Sequence, residues 1–338
     1  MIVYLGCYTD DANRNGLKVL NLDEATGVMS VAGEYSVTNA LYQALSLDGK
    51  YLYSCTGEGV ASFSVARDAQ LVAADKIDIS DCVCHLSVMP DNRRIVWADY
   101  LNGAAGSVEV EEGKFGKLVS HRHFGSGPNL PRQDKAHCHQ AVPTPDEKGY
   151  CVVDLGLDQI VEYPQARVFH TSPAGAGPRH LLFHPNGRLA FLVYELGNMI
   201  SSFLWSPVGG FKLIDTHSIF TPSSNLTISS SSCLSAAIRF TPDGKSVVVS
   251  NRGENSLVVF DFDEESGSLA FKSRTLLSGN WPRDFIFVND TLALVACERS
   301  GEVLSQRYDS SSGLFTQIAA LGSLHRPVAL TLSSYELK

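Results

Sequence analysis

The repeat unit of this chain is most complete in Ile238-Arg239-Phe240-Thr241-Pro242-Asp243-Gly244-Lys245-Ser246-Val247. An apolar segment leads into a turn, and a run of β-formers follows the turn. Proline fixes φ and glycine accepts a positive φ, which is what a tight turn between two strands requires. The same phrase, with substitutions, occurs at residues 45–53, 86–96, 142–150, 182–191 and 285–292. The chain is therefore predicted to be built from a repeated β unit.

The spacing of the copies indicates which repeat architecture this is. Their turns fall at Asp48, Asp91, Asp146, Asn186, Asp243 and Asp290. The period is thus about 40 to 57 residues, which is typical of a propeller blade of four short strands. A β-helix would need a much shorter period, and helical signals are almost absent. Two inserts explain the longer spacings, a loop from Gly113 to His137 and a serine-rich segment from Pro222 to Ser235.

The two ends of the chain supply the remaining blade. Six copies leave an N-terminal segment before the first copy and a β-like tail from Arg326 to Leu332. A blade shared between these ends would close the ring and remove the sheet edges that invite aggregation. We therefore predict an all-β fold, with residues 1–338 forming a single seven-bladed β-propeller domain. Its blades are four-stranded and antiparallel, and N- and C-terminal strands close the ring.

Composition and charge exclude several classes of partner. With 44 % hydrophobic and 19 % charged residues, the chain fits an ordered globular protein. The net charge of -9, without a block of lysine or arginine, argues against nucleic acid. No apolar run is long enough for a membrane span. The N-terminus passes into Ile2-Val3-Tyr4-Leu5 with no basic flank or cleavage site, so we expect a cytoplasmic protein. We also expect a monomer or a weak homodimer.

The eight cysteines are too few for a disulfide framework in a chain of 338 residues. Most lie in strand-like apolar runs, so reduced and buried thiols are expected. A zinc site could be composed from Cys82, Cys84 and His85 together with Cys138 and His139, but their spacing matches no established metal-binding pattern. We predict no metal and no cofactor.

Ionisable groups at the ends of predicted strands are not explained by the repeat. They are His137 and His139, Arg179 with His180, Glu195, Asn251 with Arg252, and Arg283 with Asp284. Carboxylates or imidazoles flanked by arginines suit one task, the activation of water against a carbonyl with stabilisation of the resulting oxyanion. The alternative is structural: Glu195 could be an ordinary strand-end carboxylate, and the arginines could tie neighbouring blades together.

The two histidines are expected to differ in role. Strand alternation would put His137 and His139 on the same face of one strand. We expect His139 to be the active residue and His137 to support it.

A succession of motifs resembles one family. The motifs are Gly125-Ser126-Gly127-Pro128-Asn129, Arg132-Gln133, Ala136-His137-Cys138-His139, Val153-Asp154-Leu155-Gly156-Leu157-Asp158, Gly177-Pro178-Arg179-His180, Tyr194-Glu195-Leu196-Gly197-Asn198 and Ser250-Asn251-Arg252-Gly253. They resemble the lactonase family of seven-bladed propellers, which includes cycloisomerase-type 6-phosphogluconolactonases and fungal carboxymuconate cyclases. The resemblance covers essentially the whole chain. Departures are Ala237, where the family usually has glutamate, and Asp99, where asparagine is usual.

The resemblance implies a central cavity with a catalytic set of His139, Glu195, Arg179 and Arg252. For substrate binding we expect Arg132, His137, His180, Asn251 and Arg283. The implied reaction is hydrolysis of a small anionic sugar lactone, foremost 6-phosphoglucono-1,5-lactone of the pentose phosphate pathway. Glu195 or His139 would deprotonate the water, and Arg179 and Arg252 would hold the oxyanion. Arg132, Lys135 or Arg283 would bind a phosphate or carboxylate.

Two other functions fit parts of the sequence. A carboxymuconate-type enzyme would form or open a lactone on an unsaturated dicarboxylate, and the same arginines would hold its carboxylates. A non-catalytic scaffold like the WD-repeat propellers would leave the channel without a function. The chain lacks the Gly-His and Trp-Asp signatures of that group.

Overall fold

The computed structural model describes residues 1–67, 69–80, 82–220 and 232–333. These residues form 28 strands in seven four-stranded antiparallel sheets. The predicted all-β seven-bladed propeller is confirmed. Most of the serine-rich insert predicted between Pro222 and Ser235 lies outside the described residues.

The first blade joins both ends of the chain, in the order β28-β1-β2-β3. Its strands are β1 (Ile2–Cys7), β2 (Leu17–Leu22), β3 (Met29–Tyr35) and β28 (Pro327–Leu332). Leu5 pairs with Leu330 across the closing pair of strands. The predicted closure by N- and C-terminal strands is therefore confirmed.

The other six blades follow in chain order. Blade 2 consists of β4 (Gln43–Leu45), β5 (Tyr51–Cys55), β6 (Gly59–Val65) and β7 (Leu71–Asp78), and blade 3 of β8 (Val83–Val88), β9 (Arg94–Asp99), β10 (Ala104–Glu111) and β11 (Lys114–Arg122). Blade 4 consists of β12 (Cys138–Pro143), β13 (Tyr150–Asp154), β14 (Gln159–Tyr163) and β15 (Arg167–Thr171), and blade 5 of β16 (Pro178–Phe183), β17 (Leu189–Tyr194), β18 (Met199–Ser206) and β19 (Gly210–Ser218). Blade 6 consists of β20 (Leu234–Phe240), β21 (Ser246–Arg252), β22 (Ser256–Phe262) and β23 (Leu269–Leu276), and blade 7 of β24 (Pro282–Asn289), β25 (Leu292–Cys297), β26 (Glu302–Asp309) and β27 (Leu314–Leu321).

The first strand of each blade lies at the centre of the ring. These inner strands, β28, β4, β8, β12, β16, β20 and β24, contact one another in a closed succession. The fourth strands form the outside, and β11 (Lys114–Arg122) is mostly exposed along its length. The repeat thus brings the beginnings of seven inner strands to one central channel.

The core is divided into seven apolar clusters, one between each pair of neighbouring blades. Between blades 2 and 3, for example, Tyr53 packs with Leu86 and Trp97. The second strand of each blade is buried on both faces, which explains its continuous apolar run in the sequence. All eight cysteines are free and seven are buried, as predicted.

The turn of the repeat unit forms as its residues require. Gly244 adopts φ 69°. Thr241 Oγ1 donates to Asp243 Oδ1 at 2.6 Å, and the Thr241 amide donates to the Ser246 carbonyl at 2.9 Å. The turn lies at the far end of the inner strand from the polar cluster, so it serves the fold and not the site. No helix among the described residues has both the length and the apolar character needed to cross a bilayer.

Candidate active site

Most inner strands carry a β-bulge near their start, and the bulged residues supply much of the polar cluster. In blade 4, Cys138 pairs with Asp154 and Gln140 with Val153, so His139 has no partner in the register. Arg179 in β16, Arg283 in β24 and Cys84 in β8 occupy the same bulged position. A bulge bends the strand and redirects a side chain. The repeat therefore delivers bulged side chains from several blades to the cavity, among them Cys84, His139 and Arg283.

A second set of residues ends or follows the second strand of a blade. Its members are Tyr8, Tyr100, Glu195, Arg252 and Glu298. Together the two sets enclose much of a cavity of about 250 Å³, lined by Tyr8, Leu41, Cys82, Cys84, Tyr100, Arg132, His139, Glu195, Arg252 and Arg283. The lining residues come from at least six blades, so no single loop forms the cavity.

Glu195 is the centre of charge in this cavity. Its Oε2 lies 3.0 Å from Arg179 Nε and 2.8 Å from Arg252 Nη2, and its Oε1 accepts a hydrogen bond from Arg132. Burial disfavours the charged carboxylate, but Arg252, Arg132 and Arg179 outweigh burial and hold the pKa of Glu195 well below its usual value. Glu195 is therefore an anion at neutral pH with both oxygens engaged.

His139 faces the cavity as a neutral imidazole. Burial first, and the positive charge of Arg179 second, hold its pKa well below the usual value. Its Nδ1 is buried and has no hydrogen-bond partner among the described residues. Edge-on ring contacts to Tyr100 at 5.7 Å and His180 at 5.3 Å fix its orientation. A buried ring nitrogen without a partner is costly, which is a reason to look for one in a bound ligand.

His137 does not line the cavity. Its Nδ1 lies 2.8 Å from the Tyr100 carbonyl and its Nε2 lies 3.0 Å from Asp134 Oδ1, so both nitrogens are occupied. Its ring stacks on Tyr100 at 4.3 Å. His137 was expected to bind substrate, but both of its ring nitrogens are engaged within the protein. The predicted shared strand face is not formed, because His137 precedes β12 and the bulge at His139 breaks the alternation.

Three further predicted site residues are not part of the lining. Arg179 holds Glu195, and burial and the charge of Arg252 lower the pKa of Arg179. His180 is buried between the rings of His139 and His85. Asn251 is fully buried, and its Nδ2 donates to Glu254 at 3.2 Å. His180 and Asn251 were expected to bind substrate, but the structure places them outside the cavity.

The remaining predictions divide in the same way. Arg132, Glu195, Arg252 and Arg283 line the cavity together with His139. Lys135 is exposed and is not part of the lining. Ala237 packs in the core between blades 6 and 7, so its difference from the family does not alter the cavity wall.

Sequence reasoning missed several lining residues, above all Tyr8 and Tyr100. Tyr100 Oη accepts a hydrogen bond from Arg132 Nη2 at 3.1 Å. Both tyrosines occupy the repeat position of Glu195, directly after a second strand. Alignment of that position across the blades is the signal that could have identified them.

Comparisons with known proteins agree with this architecture. A family model described as "Lactonase, 7-bladed beta-propeller" matches residues 2–332. A Bacillus subtilis protein named 6-phosphogluconolactonase is 32 % identical, and the alignment covers 97 % of each chain. A Bacteroides fragilis protein of solved structure, described as a candidate 6-phosphogluconolactonase, is 27 % identical with a TM-score of 0.85, over 98 % of this chain and 97 % of that one. The Pseudomonas aeruginosa periplasmic gluconolactonase, at 24 % identity and a TM-score of 0.90 over 99 % of both chains, shares the fold.

Proposed function

The chain belongs to the lactonase family of seven-bladed β-propellers, and from this premise we propose that it hydrolyses 6-phosphoglucono-1,5-lactone to 6-phosphogluconate. The observation that carries the proposal is the cavity itself. It combines a neutral, unpartnered imidazole at His139 with the guanidinium groups of Arg132, Arg252 and Arg283. A small anionic lactone needs both features, cations for its charge and a base for the attacking water.

His139 is the better candidate for the base. A general base must take up a proton, and Glu195 is held as an anion by three arginines that would each lose a partner on its protonation. His139 is neutral and has a free ring nitrogen. Burial is the first cause of its low pKa and the charge of Arg179 the second, so a bound anion that offsets the arginine charge would raise the pKa.

The proposed reaction uses His139 twice. His139 takes a proton from water as the water oxygen bonds to the lactone carbonyl carbon, which forms a tetrahedral oxyanion. Arg252 stabilises that oxyanion from the cavity wall, while Arg179 acts through Glu195. The bond between the carbonyl carbon and the ring oxygen then breaks, and the protonated imidazole returns its proton to the ring oxygen. The product is an open-chain hydroxy acid.

Glu195 has a positioning role in this scheme. The buried guanidiniums of Arg179 and Arg252 and the partly exposed one of Arg132 would repel one another, and the carboxylate compensates them. Arg252 is fixed further by hydrogen bonds from Nε to the Leu234 carbonyl at 3.1 Å and from Nη2 to the Ser235 carbonyl at 3.0 Å. Fixed cations need no reorganisation as charge develops on the substrate.

Acid release from freshly prepared lactones tests the proposal. We expect turnover of 6-phosphogluconolactone above its spontaneous hydrolysis, and a fall in kcat of about 100- to 10,000-fold for His139→Gln. His217→Gln is the matched control, because His217 lies on the outer strand β19, is partly exposed and is far from the cavity lining. Muconolactone is included as the substrate of the carboxymuconate-type alternative.

Three results would contradict the proposal. If no lactone is hydrolysed faster than in buffer, the result favours the non-catalytic scaffold. If muconolactone is the preferred substrate, the result favours the carboxymuconate-type enzyme. If His139→Gln retains full turnover while its unfolding midpoint matches that of the unsubstituted protein, His139 is not the base.

A further inference from the structure

A second carboxylate with two arginines lies beside the same cavity. Glu298 follows β25 and occupies the repeat position of Glu195. Its Oε2 accepts a hydrogen bond from Arg283 Nη1 at 3.3 Å, and its Oε1 accepts one from Arg326 Nη2 at 2.6 Å. Both guanidiniums also lie over the ring of Tyr8, at 5.4 Å for Arg283 and 4.1 Å for Arg326. We call this group, Tyr8, Arg283, Glu298 and Arg326, the Glu298 cluster.

The two clusters differ in how many arginine donors stay free. Around Glu195, Arg252 is tied to two backbone carbonyls and Arg179 is buried against the carboxylate. In the Glu298 cluster, by contrast, Arg283 and Arg326 each make one side-chain hydrogen bond within the described part of the chain. None of their nitrogens is a buried atom without a partner, so the remaining N–H groups are open to solvent or to the cavity. Arg283 lines the cavity, and the side chain of Arg326 is 50 % exposed.

The backbone at Arg326 is strained at a position where blade 5 has a glycine. Arg326 has φ 45° and precedes Pro327, and Trp281 has φ 69° and precedes Pro282. The corresponding residue of blade 5 is Gly177, with φ 59° before Pro178. Glycine adopts positive φ at little cost, whereas a large side chain does so at a penalty. Strain of this kind concentrates at ligand-binding sites, where a side chain must be held in one place.

We propose that Arg283 and Arg326 form a clamp for the phosphate group of the substrate. Two guanidiniums held by one carboxylate and stacked on one ring can each offer paired N–H groups to a phosphate, which their planar forks match. Tyr8 and Glu298 are positioning residues, since they orient the arginines. The phosphate then lies on the side of blades 7 and 1, and the lactone carbonyl reaches His139 on blade 4.

The charges of the cluster suit a substrate that must also leave. Two arginines and one glutamate carry a net charge of +1, against about -1.5 to -2 for a phosphate monoester at neutral pH. The attraction favours the phosphorylated lactone over its unphosphorylated analogue. Because Glu298 already offsets part of the positive charge, the product can dissociate.

The test compares two substrates that differ only in the phosphate. It rests on the proposed function for turnover, so binding of the two products, 6-phosphogluconate and gluconate, is measured in parallel by calorimetry. For Arg326→Gln we expect the ratio of kcat/KM between 6-phosphogluconolactone and gluconolactone to fall about 10- to 100-fold, the loss of one charge-assisted phosphate contact. We expect a similar loss of affinity for 6-phosphogluconate relative to gluconate. Arg326→Lys keeps the charge but not the planar guanidinium, so its kcat/KM ratio should lie between those of the unsubstituted protein and Arg326→Gln.

Arg299→Gln is the matched control. Arg299 is an exposed arginine of blade 7 whose side chain stacks on Trp281 at 3.3 Å, whereas the Glu298 carboxylate pairs with Arg283 and Arg326. The Arg299→Gln variant should keep the kcat/KM ratio of the unsubstituted protein. The clamp is refuted if Arg326→Gln leaves the ratio of the two kcat/KM values unchanged, which includes an equal fall in kcat/KM for both substrates. It is also refuted if Arg326→Gln changes this ratio no more than Arg299→Gln does. If neither lactone is hydrolysed, the proposed function fails, and the binding comparison alone decides about the clamp.

Discussion

At the scale of single residues, one carboxylate organises the cavity. Glu195 compensates three arginines that approach from other parts of the chain, and its side chain is only 3 % exposed. A buried charge that loses its partner is strongly destabilising, whereas an exposed pair contributes little. Glu195 is therefore expected to matter for stability.

Glu195→Gln should lower the free energy of unfolding by about 3 to 5 kcal/mol, because it leaves buried guanidiniums without their counter-charge. Urea denaturation at pH 7 measures this. The control is Glu58→Gln, which breaks an ion pair with Lys76 at a side chain that is 68 % exposed, and should cost less than about 1 kcal/mol. Equal losses of unfolding free energy for the two variants would show that Glu195 does not stabilise the buried arginines.

At the scale of elements, the start of most inner strands has two functions. Its bulge turns one side chain into the channel, and the adjoining turns fix the height of that side chain. In blade 4 the Asp154 carboxylate accepts hydrogen bonds from the amides of His137 at 2.9 Å and Leu157 at 3.1 Å. The turn after β13 thereby holds the segment that leads into His139. Gly156 lies in this turn, in close contact with the segment 135–137.

Gly156→Ala should disturb this segment. A Cβ at Gly156 would lie 1.9 Å from the Lys135 carbonyl oxygen and 2.8 Å from the His137 nitrogen, so the backbone must move. We expect a loss of about 1 to 3 kcal/mol in unfolding free energy and a lower kcat on the lactone. Thermal unfolding and steady-state kinetics measure both. Gly322→Ala, where a Cβ meets nothing within 4 Å, should change stability by less than about 0.5 kcal/mol; a similar effect of both substitutions would contradict the steric argument.

At the scale of the whole molecule, the ring gathers buried groups that are remote in sequence. His85, His139 and His180 come from the inner strands of blades 3, 4 and 5, and His180 contacts the other two rings. Burial is the first cause of a lowered pKa in all three, to about 3 for His85 and well below the usual value for the others. Closure of the ring therefore buries three neutral imidazoles near its centre.

These histidines make stability depend on pH. Below pH of about 6.5 the unfolded chain binds a proton at each of them while the folded protein does not, so acid favours unfolding. Between pH 6 and 5, above the range where carboxylates titrate in the unfolded chain, the unfolding free energy should fall by up to about 1.4 kcal/mol per pH unit for each histidine. Urea denaturation across this range measures the slope.

His85→Gln should reduce that slope by up to about 1.4 kcal/mol per pH unit. His325→Gln, at a partly exposed histidine outside this buried group, is the control for the substitution itself and should not reproduce this reduction. A flat stability profile, or a slope that His85→Gln does not alter, would show that the central histidines are protonated in the folded protein.

The sequence by itself determined the architecture. A turn phrase such as Thr241-Pro242-Asp243-Gly244 depends on local backbone preferences, and its recurrence with a blade-sized period predicts seven blades closed by both ends of the chain. The polar residues at strand starts and strand ends recur with the same period, so His139, Glu195 and Arg252 could be named in advance.

The tertiary structure decided which of those residues face the cavity. His137 and His139 look equivalent in sequence, yet a bulge separates them, because register depends on pairing with β13. Likewise, Glu195 meets Arg132, Arg179 and Arg252, and Glu298 meets Arg283 and Arg326, through contacts between segments far apart in the chain. Local patterns encode strands and turns, but which charges become neighbours depends on how the closed ring brings its blades together.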